Sequence, residues 1–366
     1  MQRTSISSVT PGMINARNIF NAQGKILLAK GIVLNDFYIN RLKGMGIESI
    51  FVLDGITDDL AIPEVISEET RVKTVRGVKE VFNNIATDRS VDSKAISGLV
   101  GSLVDEILTN SGTLIQISEI RAFDDYTFYH SVNVCVLSLL IGVSFSFNEL
   151  QLRDLGIGAI LHDLGKIKVP KSILEKPDKL TPEEFEEIKK HSFYGFEILK
   201  KYFEFSLLSA HVAFQHHERY NGSGYPRGLQ GNEINQFSRI VAVADVYDAL
   251  LADRVYRKAF KPAEAIKEII NGIGKEYDPE VVKKLLENVA VYPVGSLVEL
   301  NTGEIGVVID VKKRARHHPI VLILTDDKYN SVFERKEIDL SKREDVLINR
   351  IIEDQNMYTY LRKMIS

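Results

Sequence analysis

The first 62 residues alternate short apolar runs with turns, and a helical pattern lies between two of these runs. Residues 25–28 and 47–53 are short, mostly apolar runs that are typical of strands. Residues 35–44 have apolar positions at helical spacing and end at Gly44, where a glycine C-cap is expected. The pattern predicts a small α/β module over residues 1–62.

A helical pattern begins after Pro63, where a serine and two glutamates at 67–69 supply a typical helix start. Four valines then form one apolar stripe: Val72, Val75, Val78 and Val81. The polar residues 88–92 interrupt the pattern and indicate two helices. We interpret residues 63–118 as a helical connector. Its valine stripe is explained either by packing within the monomer or by a homodimer interface.

Residues 94–290 have helical periodicity throughout and predict an all-α domain that overlaps the end of the connector. One helix start is especially clear, because Thr181, Pro182 and two glutamates combine an N-cap, a first-turn proline and first-turn acids. The predicted helices cover residues 126–143, 149–164, 182–202 and 235–252.

After Pro293 the periodicity changes to that of strands separated by turns. The predicted strands cover residues 296–300, 306–311, 320–324 and 331–333. We therefore predict a separate β-rich module over residues 291–366. The expected fold class is multidomain, with an all-α domain between a small α/β module and a small β-rich module.

The composition indicates a globular protein. The chain has 366 residues, of which 45% are hydrophobic and 26% charged, with a net charge of -4. This charge gives no reason to expect binding to long nucleic acids. The single cysteine, Cys135, excludes a disulfide framework and favours a cytoplasmic location.

No segment of the sequence is predicted to cross a membrane. The N-terminus lacks the apolar stretch of a signal peptide. The most apolar segment, residues 132–147, is shorter than the roughly 20 residues that a bilayer requires. We predict a buried core helix there.

Five of the eight histidines and two aspartates lie in short polar motifs of the helical region. They are His130, His162, Asp163, His191, His216, His217 and Asp245. Taken singly, each has an ordinary structural explanation. Imidazole and carboxylate together, however, are the ligand set that first-row transition metals favour. Asp245 also follows an apolar run, where an unpaired charge is costly.

The spacing of these residues suits two metal ions. If His162 and Asp163 both bind metal, the histidine binds one ion and the carboxylate can bridge two. Lys166 follows four residues after His162, so one helix face can present all three side chains. His216 and His217 can direct one imidazole to each ion.

Such a centre suits phosphodiester hydrolysis. A hydroxide that bridges two metal ions about 3.5–4 Å apart attacks phosphorus in line. Lys166 is placed to stabilise charge on the phosphate, although a surface ion pair is the alternative explanation for this residue.

A glycine-rich loop at residues 219–226 is the second candidate feature. Gly224 lets the backbone approach a ligand, and Tyr225 with Pro226 forms a rigid aromatic wall on which a guanine can stack. Arg254 and Arg257 lie one helical turn apart and can clamp phosphates. A purely structural loop and two solvated arginines would explain the same residues.

Three motifs, HDLGK at 162–166, HHE at 216–218 and GYP at 224–226, resemble the HD-GYP subgroup of HD-domain phosphohydrolases. The resemblance spans about residues 94–288. It includes the stretch LEKPDKLTPEEFEEIKKH before Ser192 and the stretch ADVYDALLADRVYR that ends at Arg257. It implies an HD-type helical domain that hydrolyses cyclic di-GMP to pGpG and on to GMP with iron or manganese.

Carried over by position, the resemblance implies seven metal ligands, with Asp163 bridging: His130, His162, Asp163, His191, His216, His217 and Asp245. It implies that Lys166 contacts the substrate phosphate. It also implies a nucleotide pocket lined by Gly224, Tyr225, Pro226, Arg254 and Arg257.

Some family members have a glutamate four residues before the first histidine, associated with a third metal. This chain has Tyr126 there, and neither Asp124 nor Asp125 matches that spacing, so we expect two ions. Zinc and nickel also suit these donors. Both flanking modules resemble small domains found beside HD-GYP domains.

Two other functions fit the sequence. One is a phosphodiesterase for another cyclic dinucleotide, such as cyclic GMP-AMP. The other is a receptor that binds a cyclic dinucleotide without cleaving it, against which the intact ligand set and Lys166 both weigh. Three histidines fall outside the motifs, and we assign them to packing or turns: His211, His317 and His318.

Overall fold

The structure is a computed structural model of the chain. The residues that it describes are 2–20, 26–45, 47, 49–53, 64–87, 92–115, 126–176, 178–202, 204–252, 260–328 and 330–352.

The N-terminal region is a small α/β module, as the sequence predicts. Its elements are β1 (Gln2–Ser5), β2 (Ile19–Phe20), β3 (Ile26–Leu28), α1 (Asp36–Gly44) and β4 (Ser49–Val52). β1 pairs antiparallel with β4, and β2 pairs antiparallel with β3. The buried apolar side chains of these elements form one cluster.

The ends of α1 match the sequence only in part. The side chain of Asn35 accepts a hydrogen bond from the amide of Tyr38 and caps the helix. The predicted glycine C-cap is wrong, because Gly44 is the last helical residue and Met45 follows as the cap. The amide of Met45 donates to the carbonyls of Arg41 and Leu42 at a negative φ, so no left-handed residue is needed there.

The helical region contains ten α-helices in the part of the chain that the structure describes. They are α2 (Glu68–Ala86), α3 (Ser93–Thr109), α4 (Tyr126–Ser144), α5 (Glu149–Ile160), α6 (Lys171–Leu174), α7 (Pro182–Leu199), α8 (Leu207–Gln215), α9 (Gln236–Leu250), α10 (Pro262–Asn271) and α11 (Pro279–Leu286). The predicted division of the connector into two helices is confirmed by α2 and α3. The capping box at Thr181 is also present, with Glu184 as its partner.

The predicted helix over residues 149–164 ends four residues early. α5 stops at Ile160, and after a turn the chain forms a 3-10 helix over Leu164–Lys168. This segment lies directly against α7, where a Cβ on Gly165 would stand 1.9 Å from the carbonyl oxygen of His191. This close approach requires a glycine at position 165. A straight continuation of α5 could not make the same contact.

α4 is longer than the apolar segment that the sequence indicates. Its window Thr127–Ser144 is long and apolar enough to cross a membrane by length and composition alone. However, 72% of that window is buried inside the protein. A buried core helix has these properties, as the sequence analysis expects.

The C-terminal region is an antiparallel sheet. Its strands are β5 (Leu297–Leu300), β6 (Ile305–Asp310), β7 (Ile320–Thr325), β8 (Ser331–Asp339) and β9 (Ile348–Ile352), in the spatial order β8-β7-β6-β5-β9. Buried side chains form two clusters within this region. The sequence pattern predicts the first four strands, but the predicted β8 ends six residues early and β9 is not predicted.

The chain divides into two compact units. One comprises Met1–Glu64, Gly112–Tyr126 and Val289–Ser366, and the other comprises Val65–Ser111 and Thr127–Asn288. The second unit therefore contains α2 and α3 together with the helices that carry the candidate metal ligands.

Candidate metal centre

Three histidines of the centre are oriented by the backbone of their own segments. His162 follows α5, His191 lies in α7, and His216 is the C-cap residue of α8. Each Nδ1 lies close to the carbonyl oxygen three residues earlier, at 2.8, 2.5 and 3.0 Å respectively. Because a carbonyl can only accept, Nδ1 carries the proton and Nε2 presents its lone pair to the site.

His130, on α4, is oriented by carboxylates instead. Its Nδ1 lies 2.7 Å from Oδ2 of Asp248, and its Nε2 lies 3.1 Å from Oδ1 of Asp245. Both aspartates lie on α9, one turn apart. Burial alone would lower the pKa of His130, but its hydrogen bonds to Asp245 and Asp248 outweigh burial and raise this pKa to about 9.

Asp163 lies between the other ligands. Its Oδ2 is 3.4 Å from Nε2 of His162, whereas its Oδ1 is 3.6 Å from Nε2 of His191 and 3.8 Å from Nε2 of His216. The two oxygens thus face different histidines. Burial opposes ionisation of this carboxyl, but Lys166, His162 and His191 hold its pKa well below its usual range.

The predicted ligands fall into two groups. The first, which we call the His130 group, contains His130, His162 and Asp245, and the second, the His191 group, contains Asp163, His191, His216 and His217. Within each group the candidate ligand atoms lie within 4.8 Å of one another. All seven residues selected from the sequence are therefore brought together.

His216 and His217 do not divide between the two groups, which corrects the expectation that each faces a different ion. Both belong to the His191 group, and their ring centroids lie 4.0 Å apart. The chain leaves α8 at His216 and turns, so two successive side chains can point the same way.

The donor atoms fit a metal ion. Nε2 of His162 and Oδ1 of Asp163 are both buried without a hydrogen-bond partner. A buried polar atom without a partner is costly, and a cation bound in each group would satisfy these two atoms. The pKa values of His191, His216 and His217 are all lowered, by burial first, so these imidazoles stay neutral and able to bind metal.

Lys166 does not share a helix face with His162 and Asp163, because it lies in the 3-10 helix that follows them. It nevertheless reaches the site. Its Nζ lies 2.5 Å from Oδ2 of Asp163, and about a third of its side chain remains exposed. It is therefore both an ion-pair partner of Asp163 and accessible from solvent.

The loop after His217 is held by a buried acid. The carboxylate of Glu218 accepts hydrogen bonds from the amides of Arg227 and Leu229, at 2.8 and 3.0 Å. A Cβ on Gly224 would lie 2.3 Å from the amide nitrogen of Arg219, so this close approach requires glycine. Tyr225 is thereby placed against His217, with ring centroids 4.8 Å apart and the rings 32° from parallel.

The remaining predicted site residues are Pro226, Arg254 and Arg257. Pro226 is exposed next to Tyr225. Arg254 and Arg257 lie outside the described residues, as do Asp124, Asp125 and the side chain of Tyr126.

Asp248 and Asn133 are functional residues that were not predicted from the sequence, and no role was predicted for Glu218. Asp248 is fully buried, and its Oδ1 accepts a hydrogen bond from Nδ2 of Asn133 at 3.0 Å. Helical spacing could have identified the first two, because Asp248 and Asn133 each lie three residues after a predicted ligand on the same helix.

Comparisons with known proteins agree with this geometry. Residues 118–281 match the family described as HD domain, and residues 297–359 match the one described as KOW domain associated with HD domain. An HD domain implies a divalent metal centre. A solved structure described as an HDG"Y"P protein from Bdellovibrio bacteriovorus has the same fold, with a TM-score of 0.50 at 19% identity over 78% of this chain and 97% of that one.

Two curated relatives have similar sequences. A Pseudomonas aeruginosa protein named as a cyclic di-GMP phosphodiesterase is 34% identical over 265 residues, which cover 72% of this chain and 64% of that protein. A Vibrio cholerae protein named 3'3'-cGAMP-specific phosphodiesterase 3 is 30% identical over 248 residues, which cover 68% of this chain and 53% of that protein. The chain thus spans less than two thirds of the length of either relative. Residues 118–281 thus belong to the HD-domain family, and the HDLGK, HHE and GYP motifs within them are those of its HD-GYP subgroup.

Proposed function

We propose that this protein is a metal-dependent phosphodiesterase that hydrolyses cyclic di-GMP to pGpG, GMP or both. The observation that carries the proposal is the position of Asp163, whose two oxygens face histidines of different groups. Such a carboxylate is suited to bridge two cations.

The His130 group would hold one divalent ion and the His191 group the other, with Asp163 shared between them. When bound, a pair of divalent cations supplies charge neutralisation of the phosphate and activation of water. Lys166, ion-paired with Asp163 and partly exposed, would contact a phosphate oxygen of the substrate.

The donor set allows several metals. Five imidazoles and two carboxylates suit iron and manganese, and zinc and nickel bind the same donors. The family resemblance favours iron, with manganese next. Two ions rather than three remain our expectation, because Tyr126 stands where a third ligand would be required.

The substrate would bind beside the His191 group, next to three side chains that we call the aromatic rim: Phe185, Lys189 and Tyr225. The rings of Phe185 and Tyr225 have centroids 6.4 Å apart. Nζ of Lys189 lies 4.9 Å from the first centroid and 5.5 Å from the second. Phe185 on α7 is 45% exposed, so a purine can stack on it.

Other predictions from the sequence are proposed in the same way. Gly224 and Pro226 would shape the substrate loop, and Arg254 and Arg257 would bind phosphate. The division into residues 1–62, 63–118, 94–290 and 291–366, the cytoplasmic location, the absence of a membrane span and the homodimer are likewise proposed.

A panel of cyclic dinucleotides, incubated anaerobically with iron- or manganese-loaded protein, tests the proposal. We expect turnover of cyclic di-GMP, and we expect the double variant His162→Ala/Asp163→Ala to lose both activity and bound metal. His211→Ala is the matched control, because His211 lies on α8 in the same unit but outside both groups. Its metal content and activity should stay at the wild-type level.

The relative from Vibrio cholerae makes cyclic GMP-AMP the second candidate substrate. Faster turnover of cyclic GMP-AMP than of cyclic di-GMP in the same panel would favour this alternative. Tight binding of cyclic di-GMP without any cleavage by the metal-loaded protein would instead indicate a receptor and contradict the enzymatic function.

A further inference from the structure

We propose that Asp248, Asn133 and Arg71 form a hydrogen-bonded relay that orients His130, and that this relay sets the metal affinity of the His130 group alone. Asp248, Asn133 and Arg71 are thus positioning residues. The inference rests on the metal centre of the proposed function, but it concerns metal binding and not the substrate.

The first step of the relay fixes the imidazole. Asp248 is completely buried, and its Oδ2 lies 2.7 Å from Nδ1 of His130. A carboxylate in this position accepts a hydrogen bond from Nδ1–H of the ring, and Nε2 then faces Asp245. The histidines of the His191 group that have a comparable contact donate to backbone carbonyls, which no side-chain substitution can remove.

The second step fixes the carboxylate. Asn133 donates from Nδ2 to Oδ1 of Asp248 at 3.0 Å, and its own Oδ1 accepts from Nη1 of Arg71 at 2.9 Å. A carboxylate cannot donate and a guanidinium cannot accept, so only one orientation of the amide satisfies both contacts. The relay is therefore directional, from Arg71 to His130.

The third step connects the relay to α2. Arg71 lies in the first turn of this helix, whose start is tied to α3 by the carboxylate of Glu106. That carboxylate accepts from the amide and hydroxyl of Ser67 at 2.7 and 2.9 Å, and from the hydroxyl of Thr70 at 2.6 Å. A displacement of α2 would separate Arg71 from Asn133 and free the amide to turn. The position of α2 is thereby coupled to one half of the metal centre.

Replacing Arg71 tests the relay at its outer end, where the side chain is only partly buried. We compare Arg71→Met with Arg76→Met, which removes an arginine from the same helix where the side chain is 64% exposed and paired with Glu80. The readout is the affinity of the full-length, metal-free protein for each of two Mn²⁺ equivalents, measured by competition with a chelator.

We expect Arg71→Met and Asp248→Asn to weaken one of the two Mn²⁺ equivalents by roughly 10- to 100-fold, as loss of an outer partner of a metal ligand does. The other equivalent and the Arg76→Met variant should match wild type. Arg71→Lys keeps a donor for Asn133 and should restore part of the lost affinity, which a general loss of stability would not allow.

Equal weakening of both equivalents, or no weakening of either, would overturn the relay. If wild type binds two Mn²⁺ but cleaves no cyclic dinucleotide, the proposed activity is wrong. The relay proposal is then still tested by the Mn²⁺ affinities of the variants. If wild type binds fewer than two Mn²⁺, both proposals fail.

Discussion

The two halves of the candidate metal centre are held in different ways. In the His191 group, His191 and His216 are oriented by carbonyls of their own segments, and every histidine has a lowered pKa. In the His130 group, His130 lies between two carboxylates and its pKa is raised. His191 and His216 are therefore oriented by their own backbone, and so is His162 of the His130 group. His130 is instead oriented by side chains, which come from three helices.

This difference predicts where the site is sensitive. Backbone carbonyls persist in every variant that folds, so the His191 group should tolerate substitutions in neighbouring helices. In the His130 group, the orientation of His130 depends on Asp248, Asn133 and Arg71, each of which can be lost by a single substitution. The half held by side chains is thus the half that sequence change or movement of α2 can adjust.

The largest expected effect comes from removing the residue that both halves share. Asp163→Asn keeps the shape of the side chain but removes the charge between the two groups. We expect kcat/KM for cyclic di-GMP to fall by about 1,000-fold or more, as for other residues that act as part of one catalytic unit. Bound metal should fall below two ions per chain.

The control for that variant is Asp154→Asn, a partly buried carboxyl on α5 in the same unit but outside the cluster. Metal analysis and steady-state kinetics on both variants test whether Asp163 is shared by the two groups. Wild-type metal content in Asp163→Asn would show that the two groups do not depend on a shared carboxylate.

A second prediction uses the opposite pKa directions of the two halves in metal-free protein. The pKa of His130 is raised from 6.5 to about 9, so its stabilising charge is fully present below pH 6.5 and is lost as the pH rises through 9. This loss corresponds to on the order of 3 kcal/mol of unfolding free energy. The pKa of His217 is lowered to about 3, so its effect appears only as the pH falls below 6.5.

Urea unfolding in the presence of a chelator measures this contrast between pH 6.5 and 9.5. His130→Gln should remove the loss of stability at high pH, whereas His217→Gln should leave it as in wild type. An identical pH dependence in wild type and His130→Gln would mean that the two halves do not differ in charge as described.

The smallest of the three effects concerns the substrate beside the His191 group. Phe185→Ala removes one ring of the aromatic rim, and stacking of a base on such a ring contributes about 1–3 kcal/mol. We expect KM for cyclic di-GMP to rise roughly 5- to 100-fold with kcat nearly unchanged. Phe193→Ala is the matched control, since Phe193 is a similarly exposed phenylalanine on α7.

Kinetics of the two variants should separate them. A change in kcat rather than KM, or an equal effect of Phe185→Ala and Phe193→Ala, would remove the aromatic rim from the substrate site.

The candidate ligands could be selected from the sequence because imidazoles and carboxylates recur there in short motifs. The helices could be predicted for a similar local reason, since capping and periodicity are properties of neighbouring residues, as at Thr181 and Pro182. The structure brings together all seven residues selected in this way.

What the sequence did not predict depends on contacts between distant segments. The early end of α5 follows from the approach of Gly165 to the carbonyl of His191, 26 positions further along the chain. The role of Asp248 depends on a contact between α9 and α4, which brings it within hydrogen-bond distance of His130, 118 positions away. Periodicity cannot reveal such pairs, because it reports only the face of each helix.

The central claim is that two differently held groups, joined by Asp163, form a centre that needs two ions for hydrolysis. It is tested most directly by adding Fe²⁺ or Mn²⁺ stepwise to metal-free protein under anaerobic conditions and measuring cyclic di-GMP turnover against bound metal. We predict that turnover appears with the second ion and saturates at two ions per chain. Full turnover with one ion bound, or none with two, would contradict this account.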